Sequence, residues 1–176
     1  MLMALVLLGY VNSGCASQAG PHQHKTMTAR LDKIAAPLLA KDIDIANTPI
    51  FLKQDDRANA STDGQVVYIT TGLMRRVSDL ALTLIIAHEL GHISLGHYWS
   101  ESPPNQLEQE ADRYGLFLLA RAGLDYRSAV LLSTSAQSPH KSGMAPFTDE
   151  AKRAAYFRTI IAEIETLTVR EISLIP

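Results

Sequence analysis

His88, Glu89 and His92 stand in the order H-E-L-G-H, and these residue types at this spacing suit one kind of chemistry. On a helix, residues four apart lie one above the other, so both imidazoles can reach a single metal ion. Glu89 is turned about 100° from His88, where it can act on a water at the metal without binding the ion itself. A catalytic zinc takes three protein ligands and keeps a fourth position for water. The residues placed to supply the third ligand are His97, Glu108, Glu110, Asp112 and His140. Glu108 and Asp112 are again four apart on one face of a predicted helix. One of these carboxylates can bind the metal while the other accepts a hydrogen bond from a ligating imidazole. Glu110, about 200° round from Glu108, is expected to point away. His97 lies five residues past His92 and falls off the ligand face of a continuing helix, which gives it a structural or supporting part. The competing readings are two buried histidines that satisfy one another, and an acidic helix N-terminus favoured by the macrodipole.

The elements that must hold these residues can be traced on either side. Leu80 to Ile93 is apolar nearly all round, the mark of a buried helix, and His88, Glu89 and His92 interrupt it. A buried charge without a partner is costly, so the interruption needs a reason. Upstream, Val66 to Thr70 is rich in β-branched and aromatic residues and reads as a strand, entered by the turn Asp63-Gly64 and closed by Gly72. A helix is predicted from near Leu73. Pro49 to Leu52 is a short apolar run, and Lys53 to Gly64 is polar. Met27, Leu31, Ile34, Leu38 and Leu39 recur at helical spacing, with Pro37 predicted to kink or end that helix near Ala36. Downstream, Pro103-Pro104 precede a helix over Gln106 to Ala122, with Gly123 as its cap. Further helices are predicted over Tyr126 to Ser133 and from Thr148 to about Arg170, separated by a loop rich in Ser, Pro and Gly. Tyr98 and Trp99 read as packing residues.

The chain's 176 residues suffice for one domain with a real core, and a composition of 47% hydrophobic and 19% charged residues is that of a globular protein. With a net charge of −2 and no basic run, nothing marks a nucleic-acid-binding surface. Leu2 to Val11 is apolar, of signal-segment length and too short to span a bilayer. Ser13-Gly14 leads from it into Cys15, the single cysteine, as in bacterial lipoproteins whose first mature residue is an acylated cysteine. The predicted organisation is a signal or lipoprotein segment over 1–15, a polar linker over 16–26 containing His22 and His24, and one domain over 27–176. An acylated Cys15 would tie the protein to a membrane without crossing it, in the periplasm or on the outer membrane.

Val66 to Leu73, followed by H-E-L-G-H and then by E-Q-E-A-D over residues 108–112, resembles the gluzincin zinc metallopeptidases related to HtpX, BepA and the CAAX prenyl proteases. The resemblance covers residues 30–165 and is strongest over 64–120. It implies an α+β zincin-type fold, mainly helical, with a small sheet whose edge strand, taken as Val66 to Thr70, flanks the zinc cleft. It implies one zinc ion per chain, held by His88, His92 and Glu108, with Glu89 as catalytic base and Asp112 bracing a ligand, His88. Relatives carry a His-Pro pair before an Arg near the last helix. Arg153 matches that Arg, but Phe147 stands where the histidine is expected, leaving His140 as the nearby histidine, for an oxyanion-stabilising or gating part or for none. Arg153 is expected to meet a carboxylate or the substrate, or to lie at the surface with no part in the site. The activity implied is endopeptidase cleavage of extended protein segments in envelope quality control. The alternatives are a latent peptidase and a weakly active zinc-holding chaperone or assembly factor.

Overall fold

The computed structural model describes residues 21–133 and 150–167. Cys15 and His140 lie outside them. Helix α1 (Pro21–Leu39) begins inside the stretch read as a linker and runs on through Pro37. The missing N–H of Pro37 costs the helix one bond, to the carbonyl of Lys33, and only Leu38 and Leu39 continue beyond it. Leu31, Ile34 and Leu38 turn inward from α1, as their spacing predicts.

Three short strands follow: β1 (Ile50–Lys53), β2 (Ala60–Thr62) and β3 (Val67–Thr70). They form one sheet in the order β1-β3-β2, with β1 parallel and β2 antiparallel to β3. The predicted Val66–Thr70 strand is therefore the central strand, and its expected place at the edge is corrected. Its composition explains the position: Val67 and Ile69 are fully buried and Thr70 nearly so, as a strand flanked on both sides requires. β2 is the strand at one edge, and it is only Ala60-Ser61-Thr62 within the stretch read as polar loop. The Asp63–Val66 turn closes it onto β3. The Asp63 carboxylate accepts from the backbone N–H groups of Gln65 and Val66, and Gly64 supplies the positive φ of 88°.

Helix α2 (Thr71–Arg76) starts directly from β3, with the Thr70 hydroxyl accepting from Leu73 N–H at 3.2 Å. Helix α3 (Asp79–Ser94) is capped by Ser78 and carries an unbroken buried run from Ala81 to Gly91. After a single 3-10 turn (His97–Trp99) come α4 (Pro104–Arg121), α5 (Tyr126–Ser133) and α6 (Glu150–Thr166). The core joins Leu31 and Leu38 of α1, Ile69 of β3, Leu82, Ile86 and Leu90 of α3, Phe117 of α4 and Phe157 of α6. Each such side chain contributes about 1.5–3 kcal/mol when fully buried. Among the described residues the architecture is mainly helical with one three-stranded sheet, an α+β arrangement of zincin type.

Two glycines set the distance between α3 and α4. A Cβ on Gly91 would meet Ala111 Cα at 3.1 Å, and one on Gly115 would meet His88 N at 3.1 Å. Without side chains at these two points the helices can lie close, and that closeness brings the acidic start of α4 to the histidines of α3. No helix among the described residues is long and apolar enough to cross a membrane.

Candidate metal centre

His88 and His92 project from α3 toward Glu108 on the second turn of α4. Their Nε2 atoms are 3.0 Å apart. Glu108 Oε2 lies 3.3 Å from His88 Nε2, and Glu108 Oε1 lies 3.5 Å from His92 Nε2. A tetrahedral zinc with bonds of about 2.0–2.1 Å separates its ligand atoms by about 3.3 Å. The three side chains therefore already stand at the spacing that such an ion requires, and they form a His-His-Glu cluster suited to a single zinc. Two neutral imidazoles and a carboxylate are also the donor chemistry of catalytic zinc.

Behind the donors, each histidine has its own partner. His88 Nδ1–H donates to Asp112 Oδ1 at 2.9 Å. Arg153 on α6 donates to the same carboxylate twice, Nε to Oδ2 at 2.9 Å and Nη2 to Oδ1 at 2.6 Å. Arg153 thus meets a carboxylate, that of Asp112. His92 Nδ1 faces His97 Nδ1 at 2.9 Å, and His97 Nε2 faces Glu110 Oε2 at 3.2 Å.

Spacing along one helix could not reveal this second chain of contacts. Helix α3 ends at Ser94, and Gly96, with φ 67° in the left-handed region, turns the backbone so that His97 comes back beside His92. Glu110 does point away from the metal donors, as expected, but it points to His97. The signal in the sequence was the glycine itself, placed just after the apolar run of α3 where left-handed helix ends occur.

The charges of this cluster are strongly coupled. With no metal charge among them, burial opposes a proton on His88. The hydrogen bonds to Asp112 and Glu108 outweigh it, and hold the imidazole's pKa up at about 10. Burial and the neighbouring His88 charge push His92 the other way, to about 4. Glu89 is buried beside them, and burial raises its carboxyl to about 7, against the pull of His88 and with the help of Glu108. Burial raises Asp112 too, but its hydrogen bond to His88 and the charges of His88 and Arg153 prevail, and it stays below the ordinary carboxylate range. A buried carboxyl beside a metal-donor cluster is placed for proton transfer.

Tyr98 and Trp99, read as packing residues, are exposed and form an edge-to-face pair at 4.8 Å. Tyr98 also lies against the β2–β3 turn, where a Cβ on Gly64 would come within 2.7 Å of its own Cβ. The hairpin is thus in contact with the 3-10 turn that follows α3.

Residues 22–102 match the model of Peptidase family M48. This span contains the H-E-L-G-H segment and stops short of Glu108. A 95-residue stretch, 51% of this chain, is 30% identical to Metalloprotease YcaL of Escherichia coli (strain K12) and covers 37% of that protein. The chain thus matches somewhat more than a third of that relative's length. No solved structure matches the chain. The matched span carries His88 and His92, which with Glu108 form the candidate site for a single zinc ion.

Proposed function

We propose that this chain, which carries a gluzincin metallopeptidase domain of the M48 type related to Metalloprotease YcaL, cleaves extended segments of unfolded or misassembled envelope proteins. The observation that carries the reading is the donor triangle of His88, His92 and Glu108 at 3.0 to 3.5 Å, with the buried Glu89 carboxyl next to it.

In this reading His88, His92 and Glu108 hold the ion. Zinc bound there would lower the pKa of a water molecule and polarise a peptide carbonyl. Glu89 accepts the proton of the attacking water and returns it to the leaving nitrogen, so the peptide bond breaks with no net proton consumed. Asp112, backed by Arg153, keeps the His88 proton on Nδ1 and so leaves Nε2 free to bind.

The substrate reading comes from the sheet. β2 pairs with β3 on one side only among the described residues, and its hairpin touches Tyr98 in the turn just after the motif helix. An extended peptide added to that edge would be held by main-chain hydrogen bonds, which is permissive in sequence and suits unfolded protein. The envelope location rests on the apolar run Leu2 to Val11 and on Cys15 as an acylation site.

The test compares the purified chain with its Glu89→Gln variant for bound zinc and for casein cleavage. Both are expected to carry about one zinc, and the variant to lose about 10²–10⁴-fold in cleavage, the usual contribution of a positioned general base. Equal cleavage by the two would remove Glu89 from the mechanism. Zinc binding with cleavage by neither would favour a zinc-holding chaperone.

A further inference from the structure

We propose that His97 and Glu110 are positioning residues that fix the tautomer and orientation of His92 for metal binding, a relay of set polarity running from metal donor to carboxylate. The inference rests on the metal reading above and concerns residues to which that reading gives no part.

Three observations carry it. His97 is buried, and both of its ring nitrogens are engaged, Nδ1 with His92 at 2.9 Å and Nε2 with Glu110 at 3.2 Å. Glu110 is itself held, since its other oxygen accepts from Gln106 Nε2 at 2.8 Å. His97 reaches this place only because Gly96 takes a left-handed conformation.

The hydrogen positions then follow from one requirement. His92 offers Nε2 to the donor cluster, so as a neutral ligand it carries its proton on Nδ1. That proton has His97 Nδ1 as its acceptor, which places the His97 proton on Nε2, where it donates to the Glu110 carboxylate. Every hydrogen in the chain has one acceptor and every acceptor one hydrogen. In the reverse polarity His92 would carry its proton on Nε2 and could not bind metal. A carboxylate at Glu110, which can only accept, enforces the competent direction. The E-Q-E-A-D segment would thus work at three points: Glu108 on the metal, Asp112 on His88, and Glu110 through His97 on His92.

The test measures zinc affinity of the purified chain by competition with a chromophoric chelator, for wild type, His97→Ala, Glu110→Ala and Glu110→Gln. Thermal unfolding of each zinc-free protein controls for folding. His97→Ala is expected to weaken zinc binding by about 10–100-fold, the range typical of removing an outer partner of a metal ligand. Glu110→Ala should weaken it less, and Glu110→Gln should recover most of that loss, because its carbonyl still accepts. Nitrogen-15 spectra of the zinc-loaded wild type should show His92 protonated on Nδ1 and His97 on Nε2. Affinity unchanged in a folded His97→Ala protein, or the opposite tautomer at His97, overturns the relay while leaving the zinc site intact. A folded wild type that takes no zinc overturns the metal reading as well. If His97→Ala does not fold, Glu110→Ala at its half-exposed position decides alone, and unchanged affinity there is fatal to the proposal.

Discussion

His88 and His92 sit one turn apart and aim at the same point, yet the protein holds them by different means. His88 is gripped from inside: its partner Asp112 is 2% exposed and is clamped in turn by Arg153 from α6. His92 is held from the rim, through the neutral ring of His97, by Glu110, which is 44% exposed. The inner brace couples the metal site to the packing of three helices. The outer one depends on a single turn of backbone at Gly96. A brace made of buried charges couples strongly to stability, whereas a neutral relay near solvent can set orientation at little cost to the fold.

The largest break in this comparison should come from Asp112→Ala. It removes the carboxylate that faces both His88 and Arg153, and truncating one side of a buried ion pair costs about 3–5 kcal/mol. Arg153 still reaches solvent and its exposure softens the loss, so about 3 kcal/mol is expected in denaturant unfolding of the zinc-free protein, together with weaker zinc binding. The corresponding loss for Glu110→Ala should be within about 0.5 kcal/mol, as at other surface sites. Equal destabilisation at the two positions would erase the distinction drawn here.

A second difference is in protons. Burial works against a charged His88, but Asp112 and Glu108 hold its pKa near 10, so at neutral pH zinc can bind there only by displacing a proton. His92, lowered to about 4 chiefly by burial, has none to lose. Zinc affinity should therefore rise about tenfold per pH unit through the neutral range, with about one proton released per ion. Calorimetry in buffers of different ionisation enthalpy measures this, and the Glu89→Gln background removes any contribution from Glu89. The linked effect on the zinc-free fold has the opposite sign. The His88 pKa is raised from 6.5, so its contribution to stability is complete below 6.5 and is lost as pH rises through about 10. Asp112→Asn should flatten the proton release, and His97→Ala should leave it in place.

The two braces were also unequally legible. H-E-L-G-H and the Glu108–Asp112 spacing could be read because both obey the period of a single helix, and the helices that carry them, α3 and α4, lie within about two residues of the predicted Leu80–Ile93 and Gln106–Ala122. Asp112 was assigned to His88 by resemblance; in the structure its Oδ1 lies 2.9 Å from His88 Nδ1. The part played by His97 and Glu110 was not legible, because it depends on where α3 stops and not on how it repeats. Strand β2 escaped for a related reason. Ala60-Ser61-Thr62 has no apolar alternation, and its extended form follows from pairing with Val67 to Ile69, a tertiary cause. The resemblance placed Val66 to Thr70 at the edge, and with β2 unseen nothing in the sequence opposed it.

The smallest effect isolates the turn itself. A Cβ at Gly96 meets nothing within 4 Å, so Gly96→Ala adds no clash and costs only the backbone conformation, about 1 kcal/mol. Gly123, with φ 69° and the same open surroundings, caps α4 far along the chain from the donors and serves as a matched control. Both alanine variants should lose about the same stability in denaturant unfolding. Only Gly96→Ala should also weaken zinc binding, because relaxing its φ moves His97 away from His92. Gly96→Asn should lose less of both, since asparagine tolerates the left-handed region better than alanine. If both glycine variants left zinc affinity untouched, the geometry of the turn would be irrelevant to the site, and the outer brace would reduce to simple packing of His97 against His92.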